Sequence, residues 1–241
     1  MAALNIAHRG FSGEYPENTM LAFRKALETG CDGIELDVHL TRDGQAVIIH
    51  DEALVRTTGG EKCVYDYTLE ELRRFDASQV RPGKFDFEPI PTLEEYLDWV
   101  METPLITNIE LKNGVVWYKD MEQKVIDMIR ARHMEKKIIF SSFNHESIRL
   151  CGKLAPEIER GFLYDCWLLD EGDYAKTHGV QYMHPCFISL SEENVAKMRE
   201  KGIGLNVWTV NEEADMRRML ELGVNAVITN FPNRMAALLR G

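Results

Sequence analysis

The sequence has few cysteines, and they form no recognisable pattern. Five cysteines are scattered through 241 residues, so their number is odd. No two of them stand in a Cys-x-x-Cys pair, and the sequence therefore indicates neither a disulfide framework nor a zinc cluster. We expect reduced, mostly buried thiols at these positions, which are Cys31, Cys63, Cys151, Cys166 and Cys186.

Long apolar runs and an excess of positive charge are also missing. No apolar stretch approaches the ~18 residues needed to cross a bilayer, and the N-terminus, MAALNIAHRG, has no basic region followed by a long apolar run. These absences predict a soluble cytoplasmic protein without stable membrane association. The net charge of −11 disfavours nucleic acid and anionic lipid surfaces as partners. An anionic substrate must therefore find local positive charge.

The length and the alternation of elements predict a single barrel domain over residues 1–241. With 45% hydrophobic residues, the chain can bury one sizeable core. Strands are predicted at Leu4–Ala7, Gly33–Val38, Leu105–Leu111, Lys137–Ser142, Ile158–Leu163, Val180–Met183, Ile203–Trp208 and Val224–Thr229. Helical stretches lie between most of them. This count matches an α/β fold of the (β/α)8 TIM-barrel type, although a doubly wound open sheet shares the same alternation.

The first helix is predicted from its spacing and its ends. Met20, Phe23 and Leu27 recur at helical spacing. Asn18 is the predicted N-terminal cap, and Gly30 is predicted to end the helix. The segment would connect the first two strands.

One interval is much longer than an ordinary connection. About fifty residues separate His50 from the strand at Leu105, where a few are usual. The segment contains the turn signals Gly59-Gly60 and Pro82-Gly83, and one helical pattern near Thr68–Phe75. Residues 51–98 are therefore predicted to form a small insertion between the second and third barrel strands, capping the barrel mouth.

Three carboxylates are predicted to face the inside of the barrel. Strand alternation in Gly33–Val38 sends Glu35 and Asp37 to one face, and Glu110 and Lys112 share a face in a later strand. An exposed edge or a salt-bridged pair would be the structural alternative, but unpaired charges inside a barrel are costly. Barrel active sites gather at the carboxyl ends of strands. Three carboxylates there suit a hard cation, Mg²⁺ or Ca²⁺.

Two histidines are expected at strand ends. His8 closes the first strand, and His50 closes the run Ala46–Ile49, which follows the turn signal at residues 42–44. A pair of imidazoles can divide proton transfer between a nucleophile and a leaving group. The other histidines are read as ordinary structural residues (His39, His133, His145 and His178), and His184, which also ends a strand, is a secondary candidate.

Two basic residues next to these groups can bind phosphate. Arg9 offers a planar fork of donors, and Lys112 offers a point charge. Together they supply the local positive charge that the acidic surface lacks. The structural alternative, neutralisation of a nearby carboxylate, is nearly as strong for Lys112.

The motifs as a set resemble the glycerophosphodiester phosphodiesterase family. They are HRG (His8–Gly10), PENT (Pro16–Thr19), IELDVHLTRDG (Ile34–Gly44), HD (His50-Asp51), IELK (Ile109–Lys112), SSF (Ser141–Phe143) and VWTVN (Val207–Asn211). The resemblance runs nearly end to end, and motifs of this length in this order are far more specific than any short pattern. It implies a (β/α)8 barrel, with a small insertion after the second strand, that hydrolyses glycerophosphodiesters to glycerol 3-phosphate and an alcohol.

The resemblance also implies roles for individual residues. It matches His8 and His50 to an acid/base pair, Glu35, Asp37 and Glu110 to metal ligands, Arg9 and Lys112 to phosphate contacts, and Phe143 and Trp208 to the pocket lining. Ordinary barrel filling is an equally good reading of Trp208. The sequence departs from the family pattern at Asn230, where aspartate is frequent, and we expect this to alter local contacts more than catalysis.

These assignments suggest a mechanism. The glycerol 2-hydroxyl would attack phosphorus beside the metal, and water would then open a cyclic phosphate, with the base and acid roles of the histidines unassigned. A phosphodiesterase of the same fold acting on lysophospholipids or other phosphodiesters is the nearest alternative. A glycosidase would leave the histidine pair without a role, and a non-catalytic sensor barrel would not need both histidines. Assembly into a homo-oligomer stays open.

Overall fold

Residues 3–241 are described by a computed structural model in which eight parallel strands close into a barrel. The strands are β1 (Leu4–His8), β2 (Gly33–Leu40), β3 (Ala46–Ile48), β4 (Ile106–Leu111), β5 (Ile138–Ser142), β6 (Glu159–Tyr164), β7 (Tyr182–Pro185), β8 (Gly204–Val207) and β9 (Ala226–Thr229). All but β3 form the barrel, which closes where β1 pairs with both β2 and β9. The predicted (β/α)8 barrel is therefore confirmed, and the open sheet is excluded.

Helices flank the strands, and most of them cover the outside of the barrel. They are α1 (Met20–Glu28), α2 (Val55–Thr58), α3 (Leu69–Leu72), α4 (Leu93–Val100), α5 (Met121–Arg130), α6 (His145–Leu154), α7 (Glu171–Thr177), α8 (Glu192–Glu200), α9 (Glu213–Leu222) and α10 (Pro232–Leu239). The outward side chains of β2, Ile34, Leu36 and Val38, are fully buried in the main core with Phe23 of α1 and Tyr96 of α4. Within residues 3–241, no helix is both long and apolar enough to cross a membrane.

The start of α1 differs from the prediction. The N-cap is Thr19, whose Oγ1 accepts a hydrogen bond from the backbone N–H of Ala22 at 3.1 Å. The prediction of Asn18 as the cap is wrong, because Asn18 adopts a left-handed backbone (φ 56°) and its side chain donates to Asp37 instead. Gly30 follows the helix with φ 77°, a conformation that glycine adopts without strain, and it ends the helix as predicted.

A hairpin carries His50 to the end of β2. β3 runs antiparallel to β2, with Val38 opposite Ile48, and the turn between them uses Gly44 at φ 75°. The chain then reaches His50 two residues after β3 ends. The hairpin therefore places this histidine beside the carboxyl end of β2.

The segment between β3 and α4 has its own small core. It contains α2, α3 and two short 3₁₀ helices, Val64–Asp66 and Ala77–Val80. Its buried residues pack against the hairpin and form a cluster separate from the main core: Val47, Ile49, Leu54, Val64, Leu72, Ala77 and Ile90. Residues 93–98 of the predicted insertion lie in α4, whose buried side chains belong to the main core.

Candidate active site

Three buried carboxylates meet on the inner face of the barrel. In the parallel register of β2 and β4, Glu35 lies beside Asn108 and Asp37 beside Glu110. One oxygen from each of the three carboxylates lies within 4.8 Å of the others, and all three residues are buried. Strand alternation thus brings together the acidic cluster that the sequence predicts.

The electrostatics of the cluster are dominated by burial and mutual repulsion. Burial raises the pKa of Glu35 well above its usual value, and the charges of Asp37 and Glu110 add to this effect. Burial and Asp37 also raise the pKa of Glu110. Burial is the largest single effect on Asp37 and would raise its pKa, but the charges of Arg9 and Lys112 and the hydrogen bond from Asn18 act together against it, and the pKa falls below its usual range. A bound cation would relieve this repulsion.

The donor set fits a hard divalent cation. All the donors are carboxylate oxygens, which Mg²⁺ and Ca²⁺ prefer. Asp37 Oδ1 is buried and has no hydrogen-bond partner in the described part of the chain, and its ion-pair contact is Lys112 Nζ at 3.8 Å. Asp37 Oδ2 accepts from the Asn18 amide at 2.9 Å, which fixes the carboxylate while leaving Oδ1 available. The cluster contains no cysteine or histidine donor.

His8 is held at the end of β1 through its Nδ1 atom. Nδ1 lies 2.6 Å from Asn230 Oδ1, and Nε2 lies 3.8 Å from Glu35 Oε2. Because an amide oxygen can only accept, this contact assigns the proton to Nδ1 and leaves a lone pair on Nε2. Burial, with the neighbouring Arg9 charge, lowers the pKa of His8 to about 3. His8 is therefore neutral, with its basic nitrogen facing the carboxylate cluster.

His50 is held in the same manner by a different partner. Its Nδ1 lies 2.5 Å from Asp51 Oδ1, and its Nε2 lies 3.4 Å from Lys112 Nζ. The backbone oxygen of His50 accepts from the buried His39 ring at 3.1 Å. The Asp51 carboxylate gives this ring a full negative charge as its partner, whereas His8 has only a neutral amide.

Charged side chains link the surroundings of the two histidines. Arg9, which has a left-handed backbone (φ 53°), donates to Glu17 at 2.9 Å and reaches Asp37 at 3.4 Å. Glu17 also accepts from Arg56 at 2.7 Å, and Arg56 donates to Asp51 at 2.5 Å. This chain of contacts fixes Arg9 and Asp51 relative to each other.

Lys112 and the aromatic residues complete the surroundings. Lys112 donates to Glu110 at 2.9 Å, so it neutralises a carboxylate and also stands beside His50. Phe143 and Trp208 meet edge to face with ring centroids 5.6 Å apart, and Trp208 donates its indole N–H to the backbone oxygen of His184 at 2.8 Å. These two aromatic side chains therefore line the same cavity as the charged side chains of Arg9 and Glu35.

These groups surround one enclosed cavity and one open groove. The cavity has a volume of about 70 Å³ and is lined by His8, Arg9, Glu35, His50, Asn108, Glu110, Ser141, Phe143, Leu163, His184, Trp208, Thr209 and Ile228. The groove beside it is larger, about 660 Å³, and is lined by Lys112, Glu52, Asp165 and neighbouring residues, sharing Glu110 and Phe143 with the cavity. Of the nine predicted site residues, Asp37 alone lines neither space.

Several contacts in the site involve residues for which the sequence predicts no role. Asn230 is 222 positions from His8, and Arg56 is 39 positions from Glu17. Only two signals pointed towards this group of residues. Asn18 and Glu17 belong to the PENT motif, and Asn230 stands where the sequence departs from the family pattern.

The fold and the site together define a class of enzyme. Two imidazoles, the Arg9 guanidinium and two carboxylates of the acidic cluster line one cavity at the carboxyl end of a (β/α)8 barrel, where barrel enzymes carry their active sites. Lys112 lines the adjoining groove. This combination equips the chain as a hydrolase of anionic phosphodiesters.

Comparison with known proteins assigns the family. The chain matches the glycerophosphoryl diester phosphodiesterase family model over residues 8–234, and it belongs to this family. It is 43% identical over 240 residues to a glycerophosphodiester phosphodiesterase of Caldanaerobacter subterraneus, covering 100% of this chain and 99% of the relative. A similarly named protein of Bacillus altitudinis is 42% identical, with 95% of each chain covered.

The solved structures agree with this assignment. A phosphodiesterase of Oleispira antarctica, solved in complex with the product sn-glycerol-3-phosphate, superposes with a TM-score of 0.91 at 28% identity. The match covers 100% of this chain and 98% of that structure. The chain is accordingly an enzyme with glycerophosphodiester phosphodiesterase activity.

Proposed function

We propose that this enzyme releases glycerol 3-phosphate from glycerophosphodiesters, using a divalent cation, Mg²⁺ or Ca²⁺, and proton transfer by His8 and His50. The observation that carries the proposal is the placement of both imidazoles at one cavity with Glu35 and Glu110, two members of the three-carboxylate cluster. The product named in the Oleispira antarctica structure supports the same substrate class.

Glu35, Asp37 and Glu110 would hold the cation. When bound there, it would supply positive charge to a phosphate oxygen and lower the pKa of the neighbouring glycerol hydroxyl. Arg9 and Lys112 would bind the remaining phosphate oxygens, since both ammonium and guanidinium groups stand beside the cluster.

In the first step, we assign the base role to His8 and the acid role to His50. The neutral His8 ring has its Nε2 lone pair free to accept the proton of the glycerol 2-hydroxyl as that oxygen bonds to phosphorus. His50 would enter this step as the imidazolium, its charge balanced by Asp51, and would give its Nε2 proton to the departing alcohol as the phosphorus–oxygen bond breaks. The products are a cyclic phosphate and a free alcohol.

In the second step, the two roles reverse. His50 accepts a proton from water as its oxygen attacks phosphorus, and His8 returns a proton to the glycerol 2-oxygen as the ring opens. Both histidines then regain their starting states. A substrate without the vicinal hydroxyl cannot form the ring and should be poor.

The two spaces suit the two halves of the substrate. The enclosed cavity, with Trp208 and Phe143, would take the glycerol group, and the open groove would take the variable alcohol. Glu52 and Asp165 line the groove and would favour a cationic alcohol such as choline. The insertion predicted at residues 51–98 would cap this mouth.

The test is turnover of glycerophosphocholine followed by phosphorus NMR, with Mg²⁺, Ca²⁺ or EDTA. We expect glycerol 3-phosphate with added cation, a transient cyclic phosphate, and loss of activity in EDTA. An analogue lacking the 2-hydroxyl is the matched control and should react far more slowly. Full activity in EDTA would contradict the metal role, and rapid hydrolysis of the analogue would contradict the cyclic route.

A second candidate substrate is a lysophospholipid, because apolar side chains are exposed around the mouth. They lie on the loops after β4, β6 and β7: Val115, Trp117, Trp167, Leu169 and Ile188. Such a rim can contact an acyl chain or a lipid surface. Comparable turnover of lysophosphatidylcholine, reduced by Trp117→Ser with glycerophosphocholine turnover retained, would support this substrate. No turnover of lysophosphatidylcholine would exclude it.

A further inference from the structure

Polar side chains stand inside the barrel on strands next to those that carry the proposed metal ligands. Asn108 of β4 lies level with Glu35, and Ser141 of β5 lies level with Glu110. His184 of β7 is level with Leu163 across the strand pair, and both line the enclosed cavity. Barrel interiors are usually filled by branched apolar side chains. Polar side chains inside the barrel are therefore unusual and indicate a binding role.

Two polar atoms of these side chains have no hydrogen-bond partner among residues 3–241. Asn108 donates its amide to Ser141 at 2.9 Å, but its Oδ1 is buried and unpaired. His184 is fully buried, and its Nδ1 is also unpaired. Buried polar groups without partners cost free energy. Both residues line the cavity, so a ligand bound there would lie beside both side chains.

The two free atoms are of opposite kinds. The amide of Asn206 lies 3.4 Å from His184 Nε2 and can only donate, so Nε2 accepts and the proton sits on Nδ1. Burial lowers the pKa of His184 to about 3, which keeps the ring neutral. The floor of the cavity thus presents one N–H donor and one carbonyl acceptor. A hydroxyl group both donates and accepts, and it matches this pair.

The absence of a side chain at Gly161 leaves room for the His184 ring. At Gly161, a Cβ atom would lie 2.5 Å from His184 Cδ2 and 2.6 Å from the Tyr182 carbonyl oxygen, so any side chain there would collide. Trp208, on the cavity wall, donates to the His184 backbone oxygen. The cavity, at about 70 Å³, exceeds what one water molecule needs.

We propose that Asn108 and His184 form a hydroxyl-binding floor that recognises the terminal hydroxyl of the substrate's glycerol group. This inference rests on the proposed function, in which the middle hydroxyl reacts at phosphorus and the terminal one is left to be bound. A hydroxyl taken into an enclosed cavity must exchange its water contacts for protein contacts. The floor provides those contacts and makes glycerol, rather than any vicinal diol phosphate, the preferred group.

The test compares two substrates that differ by one oxygen atom. They are glycerophosphocholine and its analogue with a methyl group in place of the terminal CH₂OH, which keeps the reacting hydroxyl. The wild-type enzyme should prefer glycerophosphocholine in kcat/KM by about 10- to 100-fold, because the analogue leaves both buried atoms unpaired. His184→Leu should remove most of this preference by slowing the glycerol substrate alone.

Two further variants keep the test sharp. His184→Asn, which retains an N–H near the Nδ1 position, should keep part of the preference. Leu163→Val changes an apolar wall of the same cavity and should leave the preference at its wild-type value, whatever its effect on rate. Inhibition by glycerol 3-phosphate, compared with 2-hydroxypropyl phosphate, gives a readout that does not depend on turnover.

The outcomes separate this inference from the proposed function. Hydrolysis of both substrates without preference by the wild-type enzyme would overturn the floor and leave the proposed function standing. An equal loss on both substrates in His184→Leu would also overturn it, since that pattern indicates a structural role. If the wild-type enzyme turned over neither substrate with cation present, the proposed function and the floor would both fall.

Discussion

At the scale of single residues, the two catalytic candidates differ in what holds them. The Nδ1 atom of His8 contacts a neutral amide at 2.6 Å, and that of His50 contacts a carboxylate at 2.5 Å. Each contact fixes the ring and turns Nε2 towards the site. Positive charge forming on His50 is stabilised by Asp51, while His8 lacks a charged partner at Nδ1. This difference underlies the proposed division into base and acid.

The contact between Asn230 and His8 can be tested directly. In Asn230→Ala, the His8 ring loses its only Nδ1 partner among the residues of the described chain, 3–241. We expect kcat to fall by about 10- to 100-fold, as is typical when a residue that orients an active-site group is removed, with a smaller change in KM. Steady-state kinetics measure this split.

A matched asparagine provides the control for Asn230. Asn225 lies just before the other end of β9, where it accepts from the Leu205 backbone N–H. Asn225→Ala should keep near wild-type kcat. If Asn230→Ala also kept it, the orienting role of Asn230 would be wrong.

Repulsion among the carboxylates predicts how the metal-free protein responds to pH. Burial and the neighbouring carboxylates raise the folded-state pKa of Glu35 well above its ordinary value. The stability linked to this group is therefore fully present below the unfolded pKa and is lost as pH rises through the folded value. Glu35→Gln removes one charge of the cluster and should raise the melting temperature in EDTA near neutral pH, by about 2–4 °C for each 1 kcal/mol gained.

Added cation should reverse the order of the melting temperatures of the wild-type protein and Glu35→Gln. Mg²⁺ or Ca²⁺ should stabilise the wild-type protein, since a ligand that binds only the folded state raises its melting temperature, and should have much less effect on Glu35→Gln. Glu28→Gln, at an exposed residue paired with Lys25, is the control and should behave as wild type. A lower melting temperature for Glu35→Gln in EDTA would contradict the repulsion described here.

At the scale of elements, the hairpin and the segment after it hold His50 in place. Ile49, next to His50, packs in the small cluster that also contains Leu72 of α3. Strand alternation predicted the inward carboxylates of β2 and β4, because that pattern is local. The cap of α1 was mispredicted, because Asn18 is drawn to Asp37, which belongs to another element.

The small cluster should be important for stability. Leu72→Ala creates a cavity at a fully buried position and should lower the free energy of unfolding by about 2–5 kcal/mol. Phe87→Ala, at a side chain that is 54% exposed in the same segment, should change it by no more than about 0.5 kcal/mol. Urea unfolding measures both variants. Equal small effects would mean that the segment contributes little to folding.

At the scale of the whole molecule, the barrel and the acidic cluster could be predicted from the sequence. The hydrogen bonds that hold the site residues in position could not. The fold is indicated by eight strand patterns and by long motifs, and each of these signals is local in the sequence. The contact of His8 with Asn230 exists only once β1 pairs with β9, and the contact of Glu17 with Arg56 joins the loop after β1 to the segment after β3. The unpaired atoms of Asn108 and His184 likewise depend on several strands together.

The central claim is that two histidines perform the proton transfers around a carboxylate-bound cation. Its most direct test is the rate of glycerol 3-phosphate release from glycerophosphocholine by the wild-type enzyme, His8→Ala and His50→Ala, all with saturating Mg²⁺ or Ca²⁺. Each substitution should lower kcat by about 10²- to 10⁴-fold while the protein stays folded, as expected when a general acid or base is removed. Near wild-type turnover by either variant would contradict the account.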